Sequence, residues 1–191
     1  METIDISSNK RNVLDKFKSW TDTEIKSEVQ NKSIPGAVAM FHLNGDFNIS
    51  TLLRNTNFFN LTECIYVGKR SWDRRGAVGV QNYTKLSYCE SVDKFWQYVE
   101  DNNYCPIGIE NNVNYDIKNL YNFDFPYNPL FIFGEECEGL SSETLDKCRY
   151  IVNIPDYGSV RSVNVGTASG IIMSEYRRQL FMEEVNAPYH S

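Results

Sequence analysis

Three glycines of this sequence stand where the backbone could approach a ligand closely. Gly134 ends an apolar run, Gly139 follows in an acidic turn, and Gly158 tips a loop that comes after Ile154-Pro155. Because glycine lacks a Cβ, backbone amides and carbonyls at such positions can hydrogen-bond an adenine or a carboxylate. Any one of these glycines could instead simply turn the chain. The Gly-x-Gly-x-x-Gly fingerprint and the Walker-type Lys-Ser/Thr loop are absent from the sequence, so these loops do not indicate an NAD site.

Positive charge is concentrated in one short stretch of an acidic chain. The net charge is −6 and the sequence pI is about 5.0, which counts against RNA binding by the whole surface because phosphate contacts need Lys and Arg. Lys69, Arg70, Arg74 and Arg75 nevertheless lie close together, and Arg177-Arg178 lie near the end of the chain. We expect either a local basic face, which a dimer would double, or a solvated turn without a partner.

Length and composition limit the class of protein. The chain has 191 residues, 41% hydrophobic and 23% charged, as expected for one globular domain with a short extension. No apolar run reaches the length of a membrane helix, and METIDISSNKRN lacks the apolar core of a signal peptide, so we expect a cytoplasmic location and no membrane partner. Five scattered cysteines and two histidines give no zinc-ligand pattern, and we predict no metal.

Apolar runs alternate with helical patterns along most of the chain. We predict strands over residues 37–43, 63–68, 105–109, 130–133 and 150–154. We predict helices after Asn48, over 91–101, briefly around 115–121, after the acidic turn, and over 163–184. Near-continuous apolar strands alternating with helices predict an α/β fold with a parallel sheet flanked by helices. In such sheets ligands bind at the carboxyl ends of the strands, where both glycine loops begin.

A short N-terminal helical extension precedes this pattern. We assign residues 1–34 to the extension and 35–191 to the main domain. Apolar residues recur at helical spacing over 13–29, and Thr21 with Glu24 forms a potential capping box. Ser33 to Gly36 is expected to interrupt regular secondary structure before the first strand. Packing against the core is the favoured role of the extension, with contact to RNA or to a second subunit as alternatives.

Three motifs resemble those of the SpoU (TrmH-like) family of RNA 2′-O-ribose methyltransferases in the SPOUT superfamily. The first is an Asn, five residues and an Arg on a helix, which here are Asn48 and Arg54. The second is an apolar strand followed by Gly-x-Glu-x-x-Gly-Leu, and the third is Ile-Pro-x-x-Gly followed by Ser-x-Asn-Val. Their residues here are Gly134, Glu136, Gly139 and Leu140, then Ile154, Pro155, Gly158, Ser162, Asn164 and Val165.

The resemblance implies more than the residues alone could predict. It implies a C-terminal trefoil knot, a rare topology that no local pattern reveals. It also implies S-adenosyl-L-methionine as cofactor, RNA as substrate, and a homodimer in which each active site needs two chains. The residues that would line the cofactor, mostly through backbone groups, are Phe133, Gly134, Glu136, Ile154, Ser162, Val163 and Asn164.

Arg54 is the residue to which the resemblance assigns activation of the ribose 2′-hydroxyl. A guanidinium is a poor base because it stays protonated at neutral pH, but its charge can stabilise the oxygen as the proton leaves. Ser162 and Asn164 would lie beside the cofactor and the target ribose. Asn48 and Glu136 would support the site and the subunit contact.

RNA would be bound mainly by the basic loop, residues 69–83, and by the last helix. We assign Arg70, Arg74, Arg75 and Arg178 to phosphate contacts, with Trp72 or Tyr83 stacking on a base. Because no separate N-terminal RNA-binding domain is recognisable, tRNA is favoured over ribosomal RNA as the substrate. The enzyme would act on it either alone or with an accessory subunit.

The sequence departs from the family pattern at two places. Cys137 follows Glu136 where glycine is common, and Gly166-Thr167 follows Val165 where Ser-Val is usual. Two alternative functions stay open at this point. One is a non-catalytic SPOUT-fold module that binds RNA or a protein. The other is a SPOUT enzyme that methylates a base, against which the Ser-x-Asn-Val signature argues.

Overall fold

The computed structural model describes residues 10–42, 47–111, 113–134 and 138–186. Seven strands form one sheet in the order β3-β2-β1-β6-β4-β7-β5. The strands are β1 (Ile34–His42), β2 (Leu61–Gly68), β3 (Leu86–Cys89), β4 (Cys105–Ile109), β5 (Ile117–Asn119), β6 (Pro129–Phe133) and β7 (Tyr150–Asn153). The helices are α1 (Asp22–Asn31), α2 (Phe47–Phe59), α3 (Val92–Asp101), α4 (Ser142–Lys147) and α5 (Val165–Asn186).

Every strand pair in this sheet is parallel, and both faces are covered. Alternate residues of β1 point to opposite faces: Val38 and Met40 belong to one core cluster, Ala39 and Phe41 to the other. The first cluster includes buried side chains of α2 and α5, and the second includes those of α3 and α4. The predicted α/β fold is therefore confirmed, while the trefoil knot stays a prediction.

The N-terminal helix begins at the predicted capping box. The Thr21 hydroxyl accepts a hydrogen bond from the Glu24 amide at 3.3 Å, and the Glu24 carboxylate accepts one from the Thr21 amide at 2.7 Å. Phe17 and Ile25 pack with Tyr83 in a small third cluster. The described part of the extension thus packs against the main domain through Tyr83, as expected, while contact with RNA or with a second subunit is not tested. The division at residue 34 stays a prediction.

Two sequence-based predictions of local structure are wrong, and one strand was missed. β1 begins at Ile34 and runs through the expected break, because Gly36 adopts φ +115° and absorbs a register shift between Ile34 and Ala37. The helix expected around 115–121 is the edge strand β5 followed by a 3₁₀ turn, Leu120–Asn122. Leu86–Cys89 forms the strand β3, which was not predicted.

Within the described residues, no helix is both long enough and apolar enough to cross a bilayer.

Candidate active site

The two glycine-containing loops lie at the same edge of the sheet. β6 leads into Gly134 and β7 leads into Ile154, with β4 between these two strands. Because all three strands are parallel, their carboxyl ends share one edge. The prediction that both loops start at carboxyl strand ends is confirmed, and a single strand, β4, separates the two strands that they follow.

The first loop closes tightly on itself at its two glycines. A Cβ added to Gly134 would lie 2.1 Å from the carbonyl carbon of Gly139, and Gly139 itself has φ +67°. A side chain at position 134 would therefore require the backbone to move, and one at position 139 would have to adopt a strained positive φ. Glu136 and Cys137 lie outside the described residues, so the roles predicted for them stay untested.

The second loop offers backbone groups that the described part of the chain does not use. Residues 156–160 are exposed, and no backbone–backbone hydrogen bond within the described ranges involves residues 155–160. Backbone amides and carbonyls require a partner, either water or a ligand. A flat polar ligand at this edge could thus be held largely by main-chain hydrogen bonds.

Asn164 joins this loop to α2. Its Oδ1 accepts a hydrogen bond from the Gly166 amide at 2.8 Å, and its carbonyl accepts one from the Ala168 amide at 2.9 Å, so Asn164 caps the start of α5. Its Nδ2 donates to the Asn48 Oδ1 at 3.4 Å. The structure brings together these two predicted site residues, and the supporting role expected for Asn48 is consistent with this contact.

The next turn of α5 packs directly against α2. A Cβ added to Gly166 would lie 2.5 Å from Cγ2 of Thr51, which explains why the chain carries glycine here instead of the usual serine. Asn55 Nδ2 donates to the Gly166 carbonyl and to the Ser169 hydroxyl, both at 2.9 Å. The helix that carries Arg54 is thereby fixed against the end of the second loop.

Arg54 lies on the exposed side of α2, six residues beyond Asn48. At 1.5 Å per residue its Cα is about 9 Å farther along the helix axis. In the described part of the chain, the guanidinium makes no hydrogen bond or ion pair. Asn55 and Phe58, on the same helix, line an open groove of about 660 Å³ between α2 and α5. Within one chain, the Arg54 side chain is exposed to solvent.

The basic loop contains one neutralised arginine and two available ones. Arg75 donates from Nε and Nη2 to the Asp73 carboxylate at 3.0 and 2.6 Å, and these hydrogen bonds lower the pKa of Asp73 to about 2. The Arg70 guanidinium lies 5.7 Å from the Tyr88 ring centre, and that of Arg74 lies 5.9 Å from the Trp72 ring centre. Arg70 and Arg74 thus present charge beside exposed or half-exposed aromatic rings.

Two other residues predicted to bind RNA have different surroundings. The prediction that Tyr83 stacks on a base is wrong, because its ring is only 4% exposed and packs under the N-terminal extension. Arg178 donates to the Glu175 carboxylate at 2.6 and 2.8 Å, which lowers the pKa of Glu175. The charge of Arg178 is therefore already paired within the chain. An RNA contact by Arg178 stays a prediction.

Sequence reasoning missed Tyr88, Asn55 and Glu110. Tyr88 lies in β3, which was not predicted, so no signal pointed to a ring beside the basic loop. Asn55 directly follows Arg54, and a polar residue on an otherwise buried helix face is the signal that was available. Glu110 follows a buried strand at its carboxyl end, which is a typical position for a site residue.

The chain matches a known family over most of its length. Residues 36–174 match the sequence model described as the SpoU rRNA Methylase family. A 23S rRNA (guanosine-2′-O-)-methyltransferase, RlmB, of Neisseria meningitidis is 36% identical over 62 residues, which are 32% of this chain and 25% of that protein. A TrmH family protein of Staphylococcus aureus, named as a tRNA/rRNA methyltransferase on provisional grounds, is 22% identical over 163 residues, covering 83% of this chain and 64% of that one. The chain thus spans less than two thirds of both relatives.

A solved structure has the same fold. The SpoU methyltransferase AviRb from Streptomyces viridochromogenes, in complex with the cofactor AdoMet, superposes with a TM-score of 0.69 at 23% identity. The superposition covers 78% of this chain and 59% of that one.

Proposed function

This chain belongs to the SpoU rRNA Methylase family, and on that premise we propose that it transfers a methyl group from S-adenosyl-L-methionine to a ribose 2′-hydroxyl of RNA. The observation that carries the proposal is the meeting of both glycine loops at one sheet edge, with the Asn48 helix fixed to it through Asn164. We propose tRNA as the substrate. Because the relatives' names include both tRNA and rRNA, the test offers both.

The residues at this edge fit the cofactor. The exposed main chain of residues 156–160 can hydrogen-bond the polar edge of an adenine and the ends of an amino acid. Phe133, Gly134 and Ile154 would form the floor, with Ser162, Val163 and Asn164 at the margin. When bound, S-adenosyl-L-methionine supplies an electrophilic methyl group. In AviRb, a relative of the same fold, AdoMet is bound.

Arg54 would act on the RNA hydroxyl. The hydroxyl is a very weak acid, and it must lose its proton as the new bond forms. A guanidinium beside it stabilises the charge that develops on the oxygen. Since Arg54 is not engaged by another described residue, its charge is available to a substrate.

A second copy of the chain would complete the site. Phe58, one helical turn beyond Arg54, is 81% exposed, and Tyr121, which lines the same groove, is 57% exposed. Large apolar surfaces of this kind are usually covered by a partner. We propose that the α2–α5 groove packs against the same groove of another chain, which would carry Arg54 toward the loops of its partner.

The basic loop would hold the RNA. Arg70 and Arg74 carry unneutralised charge at an edge strand of the sheet, next to Trp72 and Tyr88. Charge on phosphates together with aromatic rings on unstacked bases is the usual combination for recognising single-stranded RNA loops. An accessory subunit, if one is required, would add to this surface.

The test uses the purified chain, radiolabelled S-adenosyl-L-methionine, and separate pools of unmodified tRNA and ribosomal RNA. We expect label in tRNA, with one linkage that resists alkaline hydrolysis, because a methylated 2′-oxygen cannot attack the adjacent phosphate. Label found on a base after nucleoside digestion would contradict ribose methylation and support the base enzyme. Absence of cofactor binding by calorimetry would contradict the proposal and favour the non-catalytic module.

A further inference from the structure

We infer that Glu110 and Asn111 are positioning residues that hold the two cofactor loops at a fixed separation; this inference rests on the proposed function. Both residues follow β4, which lies between β6 and β7 in the sheet. The first loop begins after β6 and the second after β7. The end of β4 is therefore the part of the chain that can reach both loops at once.

Glu110 binds the first loop through its carboxylate. Its Oε2 accepts a hydrogen bond from the Leu140 amide at 2.9 Å, and its Oε1 accepts one from the Asn111 amide at 2.9 Å. Its own amide donates to the Val152 carbonyl at 3.1 Å, so its backbone is fixed to β7. A half-buried carboxylate with two separate amide donors is a strong clamp, because hydrogen bonds to a charged acceptor are stronger than neutral ones.

The geometry of Gly139 is matched to this carboxylate. A Cβ added to Gly139 would lie 2.4 Å from Oε2 of Glu110. The glycine of the second motif thus has a steric reason in this chain, in addition to its positive φ. In the part of the chain that the structure describes, Glu110 has no Lys or Arg partner within ion-pair distance. Its charge is therefore directed at the loop backbone.

Asn111 binds the second loop. Its Nδ2 donates to the Ile154 carbonyl at 3.3 Å. Adjacent residues at one strand end thus hold Leu140 on one side and Ile154 on the other. Because the cofactor is proposed to bind through main-chain groups of both loops, a change in their separation would weaken cofactor binding before it affected the RNA or Arg54.

The test measures S-adenosyl-L-methionine affinity by calorimetry and methyl-transfer kinetics for two pairs of variants. Glu110→Gln keeps the side-chain length but has one oxygen acceptor for two amides, and Glu110→Ala has none. Asn111→Asp keeps the size and cannot donate, and Asn111→Ala removes the group. Glu100→Gln, an exposed carboxylate at the end of α3, is the matched control.

We expect the Kd and the KM for the cofactor to rise about tenfold in Glu110→Gln, and further in Glu110→Ala, the size expected for losing one charged hydrogen bond. The KM for RNA and the kcat at saturating cofactor should change by less than about twofold, since Arg54 is untouched. A smaller rise is expected for Asn111→Asp, and none for Glu100→Gln.

The outcomes separate this inference from the proposed function. Wild-type cofactor affinity in both Glu110 variants, with methyl transfer intact, would overturn the positioning role and leave the proposed function standing. A fall in kcat with an unchanged cofactor KM would also overturn it, because a simple loss of folded enzyme has that signature. Failure of the wild-type chain to bind the cofactor would overturn both.

Discussion

The buried carboxylate of Glu63 and the exposed guanidinium of Arg54 are both charged groups on regular elements, yet their surroundings are opposite. Glu63 is fully buried and accepts hydrogen bonds from Tyr104 at 2.6 Å and from Tyr98 at 2.9 Å. Ser87 donates to it at 2.5 Å, and the Lys85 ammonium lies 3.2 Å away. Arg54 has none of these interactions with the described residues.

The difference indicates where a site can be. A charge whose interactions are satisfied inside the chain contributes to folding and has no capacity left for a substrate. A charge that the chain leaves unsatisfied on a rigid helix is available to a ligand, a partner or water. The Glu63 cluster lies in β2, β3 and α3, in the layer opposite α2, and we assign it to stability alone.

The largest effect should come from breaking the buried cluster. Glu63→Ala leaves the hydroxyls of Tyr98 and Tyr104 without their shared acceptor, and we expect the free energy of unfolding to fall by about 3–5 kcal/mol. Urea denaturation measures this, with the exposed Glu100→Ala as control, for which a change within about 0.5 kcal/mol is expected. A loss below about 1 kcal/mol for Glu63→Ala would show that the cluster is not a structural centre.

The effect of replacing an arginine of the basic loop on RNA binding should depend on whether that arginine is already paired with a carboxylate. Arg70→Ala and Arg74→Ala should each weaken RNA binding roughly fivefold and lower the salt dependence by about one phosphate contact. Arg75→Ala should have a smaller effect, because its guanidinium is paired with Asp73. Filter binding at two salt concentrations measures all three, and equal effects at Arg70 and Arg75 would remove the distinction between paired and unpaired charge.

The smallest effect concerns alkaline pH. Burial, followed by the hydrogen bond to Glu63, raises the pKa of Tyr104 above the 10.0 of a free phenol. A raised folded pKa means that the stabilisation is complete below pH 10 and is lost as the pH rises above it, where the unfolded chain releases its proton first. Between pH 10 and 11 the Tm of Tyr104→Phe should therefore fall less steeply than that of the wild type. Parallel slopes would contradict this.

Local signals were sufficient for most elements that form the site. The β4 prediction, Cys105 to Ile109, has the same bounds in the structure, and the Thr21–Glu24 capping box starts α1 as expected. Ile49, Leu52 and Leu53 recur at helical spacing in the sequence, and all three are buried on α2. These features depend on neighbours in sequence, which periodicity and capping rules describe well.

Features that depend on distant parts of the chain were not predictable. β3 and β5 are short strands at the two edges of the sheet, where pairing with a neighbour and not the apolar run defines the strand. Tyr83 seemed available for stacking because it lies close to the arginines, but Phe17 and Ile25 cover it. The contact of Glu110 with Leu140 spans 30 residues and follows from the order of strands in the sheet. No local pattern contains that order.

The most direct test of the account is complementation between two inactive variants. Arg54→Ala lacks the guanidinium, and Gly134→Ala places a Cβ where the first loop closes. The two variants are mixed, unfolded and refolded together. Half of the randomly paired dimers are then hybrids, each with one complete site, so methyl transfer should return to about a quarter of the wild-type rate. Arg149→Ala lies at the amino end of β7, away from the two loops, and serves as the active control. Activity of the mixture no higher than that of either parent would contradict the claim that Arg54 serves the loops of a second chain.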